Sequence, residues 1–245
     1  MATQATFRIW RGDPAGGKFQ DYTTPVEEGM VVLDAVHRIQ AQQANDLAVR
    51  WNCKAGKCGS CSAEINGTPK LMCMTRLSDI NLDAPVTLEP MHAFPPIRDL
   101  VTDVSWNFRA KKTIKPFKPR SPDAPDGTWR MQQADVERVQ EFRKCIECFL
   151  CQDVCHVLRE HHKHDKFIGP RLLVYAAALE MHPLDIEDRV TDLRRKHNIG
   201  YCNITTCCRQ VCPESITITE NAIIPLKERV VDRFFDPLKQ LFHIL

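Results

Sequence analysis

The sequence predicts an α+β protein in two successive parts: residues 1–105, a small sheet packed on one helix, and residues 106–245, an all-helical region. Three observations predict this. Short extended runs and a Gly-containing hairpin signal fill the first part, around a single stretch at helical spacing. Beyond about residue 131 the apolar residues recur at helical spacing instead. A basic stretch dotted with proline separates the two.

In order, residues 7–10 and 19–26 read as strands, followed by a turn at Glu27-Glu28-Gly29. Val32, Val36 and Ile39, with Leu33 beside them, mark the helix. Residues 63–65 and 86–89 read as further strands, and Asn66-Gly67-Thr68 gives the hairpin signal. Residues 111–120, KKTIKPFKPR, read as a linker or surface strap, extended by Pro122 and Pro125. Residues 135–144, 170–181 and 186–196 read as helices. Leu226, Val230, Phe234, Leu238 and Leu241 form a last apolar stripe, kinked at Pro237 and expected in the core.

The 245 residues, 43% hydrophobic, suffice for two modest domains or one large one. A net charge of +2 argues against a general nucleic-acid binder. The basic stretch lacks the interleaved aromatics and glycines of a nucleic-acid patch. The longest apolar run, residues 172–179, is far short of the roughly 20 residues that cross a bilayer. Residues 1–10 show no secretory or transit pattern, so the chain is expected to stay where it is made. In a reducing compartment its twelve cysteines are better read as ligands than as disulfides.

Cys53, Cys58 and Cys61 are spaced C-x4-C-x2-C, and Cys73 follows after a gap of eleven residues. This is the plant-type ferredoxin spacing for a 2Fe–2S cluster. Such a core needs two thiolates per iron: three from one curled loop, the fourth from a later segment. Gly56 and Gly59 permit the curl. A zinc knuckle asks for two paired C-x2-4-C elements, and Cys73 stands alone. The strand and helix order suits a β-grasp ferredoxin-like domain.

Cys145, Cys148, Cys151 and Cys155 read C-x2-C-x2-C-x3-C, the bacterial ferredoxin run. In two-cluster proteins the fourth cysteine of each run ligates the other cluster. The partner run is Cys202, Cys208 and Cys212-Pro213, with Thr205 at the second ligand position. A hydroxyl does not readily replace a thiolate on iron. Cys145, Cys148, Cys151 and Cys212 are therefore expected to hold a 4Fe–4S cluster, and Cys155, Cys202 and Cys208 a 3Fe–4S cluster with one corner empty. Cys207 stays open between a spare thiol turned elsewhere, which its place directly before Cys208 favours, and a fourth ligand completing a second 4Fe–4S cluster.

One plant-type loop followed by two interlocked runs, the second lacking its second cysteine, resembles the iron–sulfur subunit of the succinate dehydrogenase and fumarate reductase family. Cys58-Gly59-Ser60-Cys61, the run PPIRDLVTD at residues 95–103, and Phe167-Ile168-Gly169-Pro170 match as well. The resemblance covers nearly the whole chain. It implies an electron-transfer subunit of a succinate:quinone oxidoreductase, with substrate chemistry at the FAD of a flavoprotein partner. It also implies a quinone at membrane-anchor subunits, and a peripheral place on the cytoplasmic face of a bacterial inner membrane.

Three positions depart from the family pattern. His156 replaces a proline, Glu160 a tryptophan and Asn203 a histidine, which puts the usual quinone pocket in doubt. His156, with His161, His162 and His164 nearby, is the quinone-proximal candidate, since histidine titrates near neutrality. The rival functions are an iron–sulfur subunit of another quinone- or disulfide-linked oxidoreductase, and a zinc or nucleic-acid module. Arg209 after Cys207-Cys208 counts against the heterodisulfide type, whose relatives often carry a paired-Cys-Gly element.

Overall fold

The computed structural model describes residues 3–236. Its main elements run β1 (Thr3–Asp13), β2 (Gly16–Val26), α1 (Val32–Gln42), β3 (Ser62–Ile65), β4 (Thr68–Leu71), β5 (Val86–Glu89), β6 (Pro96–Arg98) and β7 (Val101–Thr102). Helices follow: α2 (Ser105–Lys111), α3 (Gln133–Gln140), α4 (Leu150–Asp153), α5 (His156–Arg159), α6 (Gly169–Glu180), α7 (Val190–Arg195), α8 (Cys207–Gln210) and α9 (Ile224–Phe235). The chain divides into two compact units, residues 1–104 with 146–154, and residues 105–145 with 155–245.

In the first unit the strands form one mixed sheet in the order β2-β1-β5-β3-β4, with β1 and β5 parallel and the other pairs antiparallel. Alternation along β1 sends Ala5, Phe7 and Ile9 into the core. There Phe7 and Ile9 pair with Val86 and Leu88 of β5, and the stripe Val32, Leu33, Val36 and Ile39 of α1 is buried as well. Pro69 is tolerated because β4 is an edge strand. Asp99 is buried and accepts from the Gly12 N–H at 3.0 Å and the Ala48 N–H at 2.8 Å. It thereby ties β1 to the segment that leads into Cys53.

Residues 146–154 join this unit although they lie far along the chain. α4 packs against β4. The buried Asp153 accepts the Ala93 N–H at 2.8 Å, and the Phe149 ring meets Phe94 edge to face.

In the second unit the regular elements among the described residues are helices, plus one isolated bridge between Pro119 and Asp185. α6 contributes Leu172, Leu173, Val174, Ala176 and Ala177 to the core. The 186–196 stretch is helical only over Val190–Arg195. Arg189 explains why. Its side chain is buried, donating to the Lys115, Pro116 and Glu187 carbonyls at 2.9, 2.7 and 3.0 Å and to the Asp185 carboxylate at 2.8 Å. The basic stretch is thus a strap clasped onto this loop. Leu226 and Val230 of the last stripe are buried and Phe234 half-buried; Pro237, Leu238 and Leu241 lie outside the described residues.

Replacing Arg189 by alanine leaves the fully buried Asp185 carboxylate without its cation. Arg189→Ala is expected to cost about 3–5 kcal/mol, the scale for breaking a buried pair from one side. The measurement is a lower thermal unfolding midpoint.

Candidate metal centres

The β3–β4 hairpin sets the first pair of thiols. Asn66 and Gly67 both take positive φ, 51° and 71°, as a two-residue hairpin turn requires. With that turn fixed, Ser62 pairs with Leu71, and the Met72 N–H donates to the Cys61 carbonyl at 3.1 Å. Register therefore places Cys61 beside Cys73, whose N–H lies 3.4 Å from the Cys61 sulfur. α1 grips the same corner. Its Val32 and Leu33 N–H groups, orphan donors of a helix start, donate to the Thr75 and Met72 carbonyls at 2.9 and 3.1 Å.

Cys53 and Cys58 lie on the loop that leads into Cys61. Lys54, Gly56 and Gly59 take positive φ there, 55°, 66° and 68°. The curl aims backbone N–H groups at sulfur. Ala55 and Lys57 donate to Cys53 Sγ at 3.4 and 3.2 Å, and Cys53 donates to Cys58 Sγ at 3.5 Å. Donors of this kind favour the charged thiolate.

This loop touches the segment that carries Cys148 and Cys151. A Cβ on Gly59 would lie 2.5 Å from Cys148 Cα and 2.8 Å from Cys148 Cβ. The Ser62 hydroxyl, next to Cys61, reaches the Gly59 carbonyl at 2.8 Å and the Cys148 carbonyl at 2.9 Å. Sequence reasoning missed Ser62, because no local pattern announces a contact 86 residues away.

The two later runs share one backbone conformation. Glu147 and Phe149 take positive φ, 55° and 63°, on either side of Cys148; Ile204 and Thr206 take 60° and 62° on either side of Thr205. Cys145 and Cys202 each close a 3-10 turn with extended φ/ψ, −65°/116° and −73°/117°. Phe149 and Thr206 each precede a four-residue helix, α4 and α8. Superposed in this way, Cys145 matches Cys202, Cys148 matches Thr205, Cys151 matches Cys208 and Cys155 matches Cys212. Thr205 thus occupies a backbone site shaped like one that presents a thiol. Left-handed conformations at β-branched Ile204 and Thr206 are unfavourable and must be imposed by the surroundings.

Cys155, Cys202 and Cys208 line a single cavity, together with Thr205, Cys207 and His156. Cys207 is not turned away as its position before Cys208 suggested. Its sulfur lies 3.3 Å from Thr205 Oγ1. The left-handed turn at Thr206 starts α8 at Cys207, so Cys207 and Cys208, about 100° apart around the helix, both border the concave side. His156 is the first residue of α5, its ring 6.3 Å from that of His161. Lys227 of α9 donates to the Cys202 carbonyl at 2.6 Å. Cys212 accepts the Ile216 N–H at 3.4 Å, and Glu141 accepts from the Thr217 N–H and the Asn221 amide at 2.6 Å each. Cys148 and Cys151 are buried, Cys145 half-buried.

Burial pushes Cys61 up to about 12, Cys155 to about 11 and Cys208 to about 12. At Cys58 burial is outweighed by hydrogen bonds from Ser60 and Cys53, which bring the thiol down to about 7. Thiolates at the buried positions would therefore need a compensating positive charge, which iron would supply. Among the described residues no three His, Cys, Asp or Glu side chains converge to hold a single metal ion. A 2Fe–2S core asks two thiolates per iron and a cubane one, so neither needs such convergence. The donor set fits iron–sulfur cores.

Gly59→Ala is expected to displace the Cys148 segment and strain a positive φ at once. The visible absorption and low-temperature EPR signals of the cores expected at the first loop and at Cys148 should both be lost, whereas Gly67→Ala, which shares the positive-φ strain but has open space at its Cβ, should keep both. Glu141 gives a pH test. Burial alone would raise its carboxyl, but hydrogen bonds from Asn221 and Thr217 outweigh it and hold it below the usual value. Its stabilisation is present above the ordinary carboxylate pKa and fades as pH falls through the lowered one. Glu141→Gln should flatten that part of the acid-unfolding profile.

Comparison with known proteins agrees with this chemistry. The family model described as a 2Fe-2S iron-sulfur cluster binding domain matches residues 6–109, and the one described as a 4Fe-4S dicluster domain matches residues 141–216. The fumarate reductase iron-sulfur subunit of Mycobacterium tuberculosis is 35% identical over 203 residues, 81% of this chain and 80% of that one. The succinate dehydrogenase iron-sulfur subunit of Paracoccus denitrificans is 27% identical over 233 residues, 93% of this chain and 88% of that one. A chain in the solved structure of the Mycobacterium smegmatis Sdh1 complex in the apo form is 58% identical, with a TM-score of 0.93 over 97% of this chain and 100% of that one. The chain belongs to the iron–sulfur subunits of the succinate dehydrogenase and fumarate reductase family.

Proposed function

We propose that this chain carries single electrons between the FAD of a flavoprotein partner and a quinone held with membrane-anchor subunits, in a succinate:quinone oxidoreductase. Residues 1–105 act as a β-grasp domain in which Cys53, Cys58, Cys61 and Cys73 hold a 2Fe–2S cluster. Residues 106–245 act as an all-helical two-cluster domain. Cys145, Cys148, Cys151 and Cys212 hold a 4Fe–4S cluster; Cys155, Cys202 and Cys208 hold a 3Fe–4S cluster. When bound, the three cores supply one-electron acceptors and donors in series.

The observation that carries this reading is the repeated thiol-presenting backbone, with Thr205 standing where its counterpart is Cys148. Two such loops in one chain, one short of a thiol, match an intact cubane beside one that lacks a corner. The residues serve the relay in distinct ways. Backbone N–H groups of Cys53, Ala55, Lys57 and Cys73, donating to the Cys53, Cys58 and Cys61 sulfurs, would favour added negative charge on the core held there. Ser62 and Gly59 join the first thiol loop to Cys148, giving a short covalent and hydrogen-bonded route onward. His156 borders the cavity of Cys155, Cys202 and Cys208 and would pass a proton to quinone.

Among the described residues no helix is long and apolar enough to cross a membrane. The anchor subunits would place the chain peripherally on the cytoplasmic face.

The test is made on the purified complex. It should oxidise succinate with a quinone as acceptor, and its oxidised form should give the EPR signal of a 3Fe–4S cluster. Thr205→Cys should abolish that signal and leave the 2Fe–2S signal of the reduced protein intact. A signal that survives Thr205→Cys undiminished would contradict the role given to Thr205.

A further inference from the structure

Cys207 is the one cysteine that the three proposed ligand sets leave unused, yet its thiol lines the cavity of Cys155, Cys202 and Cys208. Its position within that cavity is specific. The backbone repeat assigns Thr205 to the corner where Cys148 presents a thiol in the other run. Thr205 Oγ1 lies 3.3 Å from Cys207 Sγ. The residue that leaves the corner without a thiol is thus in contact with another sulfur. In the other run the position equivalent to Cys207 is Leu150, the first residue of α4, which is buried and carries no donor. The third run has lost a thiol at one position and carries one two residues further on.

We propose that Cys207 is a latent fourth ligand, binding a ferrous ion at the corner beside Thr205, so that this site exchanges between three-iron and four-iron forms with redox state and iron supply. It rests on the 3Fe–4S assignment proposed above. In the uptake direction Cys207 gives its thiol proton to water, and its thiolate binds one ferrous ion whose remaining ligands are sulfides of the core. The core has first taken one electron from a one-electron donor, such as the upstream clusters or dithionite. No sulfur is added or lost. In release, one electron leaves to an oxidant, the ferrous ion departs and Cys207 recovers a proton. Thr205 would donate its hydroxyl to the unbound sulfur, holding it ready.

The experiment compares the purified complex with its Cys207→Ser variant. Both are examined oxidised as isolated, then after anaerobic reduction by dithionite with excess 57Fe-enriched ferrous salt, removal of free iron and mild reoxidation. The expected result is a 3Fe–4S EPR signal in both at the start. After treatment it is lost in the unaltered complex, with 57Fe in a four-iron core by Mössbauer spectroscopy, and retained in Cys207→Ser. Cys207→Ala repeats the comparison with a side chain that cannot ligate. Retention of the signal in the unaltered complex overturns the proposal. So does equal loss in all three proteins, which would mean that another group holds the iron. A signal at the start only in the variants supports Cys207 as ligand and overturns the three-thiol resting cluster. Absence of the signal at the start in every protein removes the 3Fe–4S assignment, and this proposal with it.

Discussion

A loop that wraps an iron–sulfur core must turn its thiols and its own N–H groups toward the same side, and an L-residue backbone does so here by entering the left-handed region. Lys54, Gly56 and Gly59 meet that constraint in the first loop, Glu147 and Phe149 in the second, Ile204 and Thr206 in the third. Left-handed conformations outside glycine cost on the order of 1–3 kcal/mol each. Something must hold them, and the rest of the fold is arranged to do so. The β3–β4 hairpin and the start of α1 clamp Cys61 and Cys73. Asp99 fixes the approach to Cys53, Asp153 pins the Cys148 segment, and Glu141 secures the backbone after Cys212. Buried thiols with raised proton affinity add to the demand, so iron bound at these loops would couple its binding to folding.

Much of the first unit was legible in the sequence because its signals are local. Asn66-Gly67 fixes a hairpin, the Val32, Val36 and Ile39 spacing fixes a helix, and Phe7 with Ile9 fixes a strand face. The cysteine spacings were legible for the same reason, since each run closes within a few residues. The helical half was less so. Residues 186–189 have helical periodicity, but the Arg189 side chain turns inward to clasp the strap at Lys115 and Pro116, and the helix starts only at Val190. That loss is a tertiary effect that no propensity records.

Two features near the thiols were hidden for the same reason. Residues 146–154 belong with the first unit because Gly59 leaves room for Cys148 and Ser62 bonds its carbonyl. Neither partner signals the other along the chain. The spacing left Cys207 open between a thiol turned elsewhere and a fourth ligand. Because α8 begins there, directly after the left-handed Thr206, Cys207 borders the cavity with its sulfur 3.3 Å from Thr205 Oγ1. In each case a polar or sulfur group near a ligand was hidden until the backbone path was known.

Thiols in left-handed loops are proposed to grip three separate iron–sulfide cores in one polypeptide. Quantifying iron, acid-labile sulfide and zinc in the purified, folded chain tests this most directly. Iron and sulfide in the proportion of one 2Fe–2S, one 4Fe–4S and one 3Fe–4S core per chain, without zinc, is the result expected. Stoichiometric zinc with no labile sulfide in folded protein would contradict it.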